Sequence, residues 1–162
     1  MTASVEGAEL LVGQAMTNII FQYNASAINE AGLTWLESDI DANADGAESL
    51  FVADMDGDGD LDIVSASSAD DTIAWYENDG AANPSWTAAD IATSADGAYS
   101  VYVADMDGDG DLDIVTSSYL DQAIAWYEND GATNPSWSAS SIASVQLSEQ
   151  VFVEDMDGDG DL

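Results

Sequence analysis

The chain carries the stretch Asp54-Met55-Asp56-Gly57-Asp58-Gly59-Asp60-Leu61-Asp62, in which five of nine residues are aspartates. The whole stretch recurs at 105–113, and its first eight residues recur at 155–162. Two like charges about 4 Å apart repel by about 4 kcal/mol at the effective dielectric of a protein surface. A compact loop of this sequence therefore needs a bound cation, and without one we expect it to stay expanded.

The spacing of the acids favours calcium. Carboxylates at positions 1, 3, 5 and 9 and a glycine at position 6 suit a hard cation, and Ca2+ takes about six to eight oxygens in flexible geometry whereas Mg2+ needs a tight octahedron. We expect alternate aspartates to supply carboxylates and position 7 to supply its carbonyl; the alternative is a solvated acidic turn. The predicted metal residues are Asp54, Asp56, Asp58, Asp60, Asp62, Asp105, Asp107, Asp109, Asp111, Asp113, Asp155, Asp157, Asp159 and Asp161.

The segments that flank the loop predict strands rather than the helices of an EF-hand. An EF-hand has a bidentate glutamate at position 12, where the first two loops have Ser65 and Thr116. The runs Leu50–Val52 and Leu61–Val64 lie on either side of the first loop. Short β-branched and aromatic runs bounded by Gly and Asp are typical of strands, so the sequence predicts a strand–calcium–strand hairpin.

The loop belongs to an internal repeat, which is typical of solenoids, propellers and arrays. The segment 75–80 returns at 126–131, 51 residues further along, and Trp35, Trp86 and Trp137 have the same spacing. Each repeat has four strand signals, which in the first full copy lie at 50–53, 61–67, 72–77 and 86–92.

The third strand signal predicts burial on both faces. Ile73 and Trp75 point one way in an extended chain while Ala74 and Tyr76 point the other way. A sheet with two apolar faces needs like sheets as neighbours, as in a propeller blade. The predicted fold class is therefore all-β, with four-stranded antiparallel blades.

The run Val101–Val115 resembles the FG-GAP/VCBS repeat of integrin-α-like β-propellers and of many microbial surface proteins, and the likeness covers residues 34–162. The resemblance implies calcium in the first hairpin of each blade. It also implies the seven-bladed ring of the best-known members, from which this chain departs because its sequence predicts two full blades and the start of a third. Propellers generally need at least about four blades to close. The predicted units are an N-terminal β segment (1–33), an outer strand (34–40), blade one (49–92), blade two (99–143) and a partial third blade (149–162).

The N-terminal segment differs from the repeats. Leu10–Val12 and Ile19–Tyr23 predict two strands, and a helix over Ala8–Phe21 is the alternative. Leu11–Thr17 resembles the opening strands of bacterial-type Ig-like domains. Asn24–Ser26 is an N-glycosylation sequon.

The composition limits the partners. The chain has 33 acidic residues and no Lys, Arg or His, a formal charge of −33, which argues against nucleic acid and anionic membranes as partners. No apolar run reaches the ~20 residues that span a bilayer, so we expect no membrane insertion. Hydrophobic residues make up 46% of the chain, which argues against a disordered polyanion. There is no cysteine to record a redox compartment.

Calcium dependence favours an extracellular or cell-surface location, where the ion is abundant. The first residues lack the basic start and apolar core of a signal peptide, and the sequence ends within its third loop. We therefore expect a piece of a longer protein. Uncovered blades would be completed by absent sequence, by other copies in an oligomer, or by open stacking in a filament.

These features predict a calcium-binding, non-catalytic repeat module for adhesion or extracellular assembly, with a protein or glycan ligand. The first alternative is a lectin-like propeller in which Trp35, Trp86 and Trp137 stack on sugars; the competing interpretation is that these rings fill gaps between blades. The second alternative is a glycoside hydrolase, for which Glu77 and Glu128 are the recurring acids outside the loops. Catalysis is disfavoured because the usual bases and nucleophiles, His, Cys and Lys, are absent.

Overall fold

The computed structural model describes residues 28–29, 32–33, 39–146 and 149–162. In these ranges the chain contains strands and no helix, and hence no helix that is long and apolar enough to cross a bilayer. The first two strands, β1 (Ile28–Asn29) and β2 (Gly32–Leu33), form an antiparallel pair. The other N-terminal predictions lie outside the described residues: the strands Leu10–Val12 and Ile19–Tyr23, the helix Ala8–Phe21, the Ig-like run Leu11–Thr17, the sequon at Asn24, Trp35 and most of the outer strand 34–40.

Eight further strands form two antiparallel sheets of four strands each. Sheet one consists of β3 (Ala47–Ala53), β4 (Asp62–Ser67), β5 (Thr72–Asn78) and β6 (Trp86–Ala92). Sheet two consists of β7 (Ala98–Ala104), β8 (Asp113–Ser118), β9 (Ala123–Asn129) and β10 (Trp137–Ser144). Strands adjacent in the chain are adjacent in each sheet, so the predicted all-β class with four-stranded antiparallel sheets is confirmed.

The inner strand of sheet one is longer than the sequence indicates. It begins at Ala47, three residues before the predicted start at Leu50. Ala47 pairs with Ser67, and the register shifts between Ala47 and Ser49. A bulge of this kind breaks the period-two pattern of side chains. The alternation of apolar residues therefore gives no signal for the first residues of the strand.

The second strand of each sheet is buried on both faces. All six residues of β4 and all six of β8 are buried. On β5, Ile73 and Trp75 contribute to the core between the sheets, while Ala74 and Tyr76 pack in a second cluster on the opposite face together with Ile40. The predicted two-sided burial of this strand is therefore confirmed.

The two sheets pack face to face, with β7 beside β3. The Val101 N–H donates to Ser49 Oγ at 3.3 Å, and the Gly97 N–H donates to Asp71 Oδ1 at 2.9 Å. Asp71 has a positive φ of 59°, a strained conformation for a residue with a side chain. The buried members of the core between the sheets are Met55, Val64, Ala66, Ile73, Trp75, Ala95, Ala98, Val101, Val103, Ile114 and Tyr127.

The third copy of the repeat contacts sheet two but forms no strand. Residues 149–162 contain none, and the partial third blade over these residues stays a prediction. The Val151 N–H nevertheless donates to Ser100 Oγ at 3.3 Å, the equivalent of the bond between Val101 and Ser49.

An aromatic row connects the three copies. Phe51 and Tyr102 make an edge-to-face contact with ring centroids 5.2 Å apart, and Tyr102 and Phe152 make another at 5.0 Å. Such pairs contribute about 0.5–1.5 kcal/mol beyond the area they bury. The row gives the segment 149–162 the same place relative to sheet two that β7 has relative to sheet one.

Candidate metal sites

Two acidic loops connect the first two strands of sheets one and two, and a third acidic loop follows at 155–162. In each loop the carboxylates accept hydrogen bonds from main-chain N–H groups of the same loop. We call residues 54–62, 105–113 and 155–162 loop one, loop two and loop three. In loop one, Asp56 Oδ1 accepts the Asp58 N–H at 3.2 Å and Asp58 Oδ1 accepts the Asp60 N–H at 2.8 Å. Asp54 Oδ2 accepts the Gly59 N–H at 3.0 Å, and Gly59, the glycine of position 6, has a φ of 98°. The predicted sharp turn at this glycine is therefore present.

Each loop gathers three carboxylates at one point. Within each group, one oxygen from every residue lies within 4.8 Å of the others. The groups are Asp54, Asp56 and Asp58 in loop one, Asp105, Asp107 and Asp113 in loop two, and Asp155, Asp157 and Asp159 in loop three. Carboxylate oxygens at this separation fit around one hard cation, since Ca2+ lies about 2.3–2.6 Å from each ligand oxygen.

The aspartate of position 9 connects each loop to the third strand. Asp62 is 1% exposed, and its two oxygens accept the N–H groups of Met55 at 3.1 Å and Asn78 at 2.9 Å. Asp113, also 1% exposed, accepts from Met106 at 3.1 Å and Asn129 at 2.8 Å. Asp113 also belongs to the carboxylate group of loop two, whereas the group of loop one does not include Asp62.

The remaining predicted residues lie in the loops without joining these groups. The carboxylate of Asp60 lies directly against Gly80, and that of Asp111 against Gly131, at points where a Cβ on either glycine would clash. For Asp60 and Asp111 the predicted ligand atom is the main-chain carbonyl. Asp109 and Asp161 are absent from the three groups.

Burial and mutual repulsion oppose the charge of the inner carboxylates. Burial raises the pKa of Asp56 and the hydrogen bond from Asp58 lowers it, while the charges of Asp58, Asp62 and Asp54 raise it further. Burial likewise raises the pKa of Asp62 and of Asp113, against the lowering effect of their main-chain donors. A divalent cation would remove this cost, because an opposite charge favours the ionised form.

One orphaned atom supports a cation in loop one. Asp54 Oδ1 is buried and has no hydrogen-bond partner among the described residues. A buried carboxylate oxygen without a partner costs free energy, and the sequence contains no Lys, Arg or His that could pair with it. The chemistry of the donor set, all carboxylate with carbonyls nearby, fits Ca2+ or Mg2+ and not a metal that prefers nitrogen or sulfur.

Comparison with known families gives one match. Residues 54–116 match the model of the FG-GAP-like repeat. The chain carries an FG-GAP-like repeat. The predicted resemblance is confirmed, and the matched segment runs from loop one through loop two into β8. No curated protein and no solved structure matches the chain. FG-GAP-like repeats form β-propeller-like modules that are generally non-catalytic and typically occur in extracellular or surface proteins.

The FG-GAP-like repeat contains a functional residue that the sequence reasoning missed. Asn78 Nδ2 donates to the Leu61 carbonyl at 3.0 Å, which fixes the end of loop one. Its counterpart Asn129 donates to the Leu112 carbonyl at 3.1 Å and also to the Met55 carbonyl of loop one at 3.1 Å. The recurrence of the Trp-Tyr-Glu-Asn-Asp-Gly segment was the sequence signal that could have identified these asparagines. Within one repeat, however, the segment predicts only a turn.

The two tryptophans of the predicted sugar-stacking set that lie among the described residues pack against the hydrophobic clusters. Trp86 lies half-buried against the outer cluster of sheet one, and Trp137 lies half-buried against the core between the sheets. This arrangement favours the gap-filling interpretation over sugar stacking. Glu77 and Glu128 lie near the ends of β5 and β9, in separate sheets.

Proposed function

We propose that the chain is a calcium-binding, non-catalytic module of a secreted or cell-surface protein that acts in adhesion or extracellular assembly. The observation that carries the proposal is the group of three converging carboxylates in every loop. The family match supports a surface location and a non-catalytic role, since repeats of this kind typically have both.

The module works by ion-gated folding. Asp62 is held by main-chain donors on both sides of its hairpin, from Met55 in the loop and from Asn78 at the end of β5. An ion that neutralises loop one therefore fixes the geometry of three strands at once. Because the unfolded chain offers no preformed site, the free energy of ion binding becomes free energy of folding.

Calcium is favoured over magnesium by the abundance of protein oxygens. Each loop offers three convergent carboxylates, and positions 7 and 9 offer further oxygens. Mg2+ usually retains several waters and binds through one or two carboxylates, whereas Ca2+ accepts a larger set of protein oxygens. We therefore expect each loop to take one Ca2+ and to reject Mg2+ at equal concentration.

Isothermal titration calorimetry tests the proposal. The metal-free chain is titrated with Ca2+ and separately with Mg2+. We compare the variant Asp54→Asn/Asp56→Asn with Asp90→Asn, which removes one charge from an exposed position on β6. The loop variant should lose one ion per chain, while the Asp90 variant should keep all of them. No calcium binding by the parent chain, or equal losses in the two variants, would overturn the proposal.

Self-association is the second part of the proposal. The outer face of sheet two carries Ile142, which is 51% exposed, together with the partly exposed Ile124 and Trp126. The same face of sheet one is covered by sheet two, so a further sheet of like shape would cover this one as well. Light scattering in calcium tests whether a second copy provides it, and a monodisperse monomer would rule out the oligomer and the filament.

A further inference from the structure

A groove of about 400 Å3 crosses the end of the molecule opposite the acidic loops, and its lining comes from sheet one, sheet two and the segment 149–162. β3 has seven residues, and Glu48 stands near its start while loop one follows its end. At about 3.3 Å per residue, the groove lies roughly 20 Å from the carboxylates of loop one. Its principal lining residues are Glu48, Ser68, Tyr99, Tyr119, Leu120 and Glu149.

The groove is a place where the copies of the repeat diverge. Glu48, Tyr99 and Glu149 occupy equivalent positions, separated by 51 and 50 residues like the loops themselves. Ser68 and Tyr119 are equivalent in the same way. The loops and the third strands are nearly identical between copies, yet here a glutamate alternates with a tyrosine. The result is an acid–aromatic–acid arrangement that runs from sheet one across sheet two to the segment 149–162.

The groove presents its side chains to solvent in a defined arrangement. Tyr99 is 37% exposed and Tyr119 is 39% exposed, while Leu120 is 59% exposed. Ser68 Oγ donates to Glu48 Oε1 at 3.0 Å, which orients that carboxylate. Leu120 packs close to Gly97, whose φ is 66°, and the Leu120 N–H donates to the Asp96 carbonyl at 3.1 Å. The floor of the groove is therefore fixed by main-chain contacts.

We propose that this groove binds a lysine or arginine side chain of a partner protein. An ammonium or guanidinium group gains energy over the face of an aromatic ring and forms charge-assisted hydrogen bonds with carboxylates. The chain has no cation of its own to neutralise Glu48 and Glu149. The formal charge of −33 also steers a basic segment towards the surface.

A sugar fits the groove less well than a cation. Carboxylates only accept hydrogen bonds, and the hydroxyl of Ser68 already donates to Glu48. Sugar hydroxyls need both donors and acceptors, and this groove offers few donors besides the two phenol groups. The inference rests on the proposed adhesive role and deepens it by naming the chemistry of the partner.

The test is a titration followed by 15N NMR in saturating Ca2+, with acetyl-Gly-Arg-Gly-amide as the probe. The matched probe replaces arginine by citrulline, which has nearly the same shape and no charge. We expect the arginine peptide to shift the amide resonances of Tyr99 and Tyr119 and the citrulline peptide to leave them in place. Saturating Ca2+ keeps the peptide out of the acidic loops.

Matched variants assign the binding to individual residues. Glu48→Gln and Glu149→Gln should each weaken the arginine peptide about 3- to 10-fold, as expected for loss of one charged partner. Tyr99→Ser should weaken it about 2- to 5-fold, the range of an exposed cation–π contact, and Tyr99→Phe should retain binding. The control is Glu154→Gln, an exposed glutamate of the same segment as Glu149 that makes the same change in charge.

Three results would overturn the inference. Equal weakening by Glu154→Gln would mean attraction to the net charge alone, and shifts with the citrulline peptide would exclude a cation site. Shifts of the same resonances by cellohexaose, without a response to the arginine peptide, would assign the groove to a glycan. Dispersed amide resonances in each variant establish that it is folded. Calcium titration of the same samples separates this outcome from failure of the proposed function.

Discussion

Sheet one and sheet two have nearly the same sequence and strand lengths, but they differ in how their outer faces are covered. Ile73 is 0% exposed and Trp75 is 2% exposed, whereas their counterparts Ile124 and Trp126 are both partly exposed. Sheet two covers the first pair, and among the described residues no further four-stranded sheet covers the second pair. Burial in this molecule is therefore set by the next repeat and not by the sequence of the repeat itself.

The exposure of the methionine at position 2 of each loop also depends on whether a further repeat follows. Met55 is 2% exposed, Met106 is partly exposed and Met156 is 91% exposed. In repeat proteins each unit contacts only its neighbours, so stability is a sum of unit and interface contributions. The described residues contain one complete interface between sheets and one incomplete one, and matched variants of the two sheets distinguish them.

Removal of calcium should have the largest effect and should not distinguish the sheets. A site that is filled at about 100 times its Kd stabilises by about 2.7 kcal/mol, and for a domain of this size 1 kcal/mol shifts Tm by about 2–4 °C. Loss of the ions of loops one and two, the two loops that connect paired strands, should therefore lower Tm by about 10–20 °C. Circular dichroism melts with EDTA and with excess Ca2+ measure the change, and an unchanged Tm would contradict the prediction.

Truncation of the matched isoleucines should separate the covered face from the open one. Ile73→Ala leaves a cavity in the completed interface and should cost about 3–4 kcal/mol of unfolding free energy, within the range for buried isoleucine. Ile124→Ala should cost about half as much, because its side chain already meets solvent. Urea unfolding in Ca2+ measures both values. Equal costs would mean that a second copy covers sheet two in solution.

Truncation of the matched asparagines should reveal the bond between repeats. Both Asn78→Ala and Asn129→Ala remove a donor to the carbonyl that ends their own loop. Only Asn129→Ala also leaves the Met55 carbonyl without its partner. It should therefore cost about 1 kcal/mol more than Asn78→Ala, the net value of a typical hydrogen bond. Similar costs in urea unfolding would show that the bond across the interface contributes nothing.

The smallest effect should be the loss of stability at low pH that comes from the Asn-Asp-Gly turns. We expect it to be equal in the two sheets. The N–H groups of Ser85 and Ala81 lower the pKa of Asp79, and those of Ser136 and Ala132 lower that of Asp130. A lowered pKa in the folded state gives stability that is present above pH 3.8 and is lost as pH falls through the folded value. The carboxyl NMR signals of both residues should titrate below 3.8, and ordinary values in either turn would contradict this.

The strands and the loop turns were predictable because they depend on local sequence. The periodicity of 72–77 gave both faces of β5 correctly, and the glycine of position 6 has the positive φ that a sharp turn needs. The start of β3 at Ala47 was not predictable, because a bulge there interrupts the alternation of side chains. The binding of an ion by the loops stays a prediction, as does its identity as Ca2+.

The contacts between repeats were not predictable from one repeat at a time. Within its own repeat, the sequence around Asn129 predicts only a turn. Its hydrogen bond to the Met55 carbonyl depends on the position of sheet two beside loop one. The aromatic row of Phe51, Tyr102 and Phe152 likewise requires the spatial order of the inner strands. The groove that Glu48 and Tyr99 line was not predictable either, because it forms only where equivalent positions of neighbouring sheets lie side by side.

The bond from Asn129 to Met55 also has a consequence for biosynthesis. A ribosome releases the chain from its N-terminus, and about 5–20 residues emerge each second. The first acidic hairpin is complete in sequence at Asp62. Asn129, whose side chain donates to the Met55 carbonyl in that hairpin, emerges from the ribosome 67 residues later. The first hairpin therefore matures more than one repeat behind the point of translation. If loop one binds Ca2+ as proposed, a nascent chain arrested before Asn129 should bind it more weakly there than the released protein does.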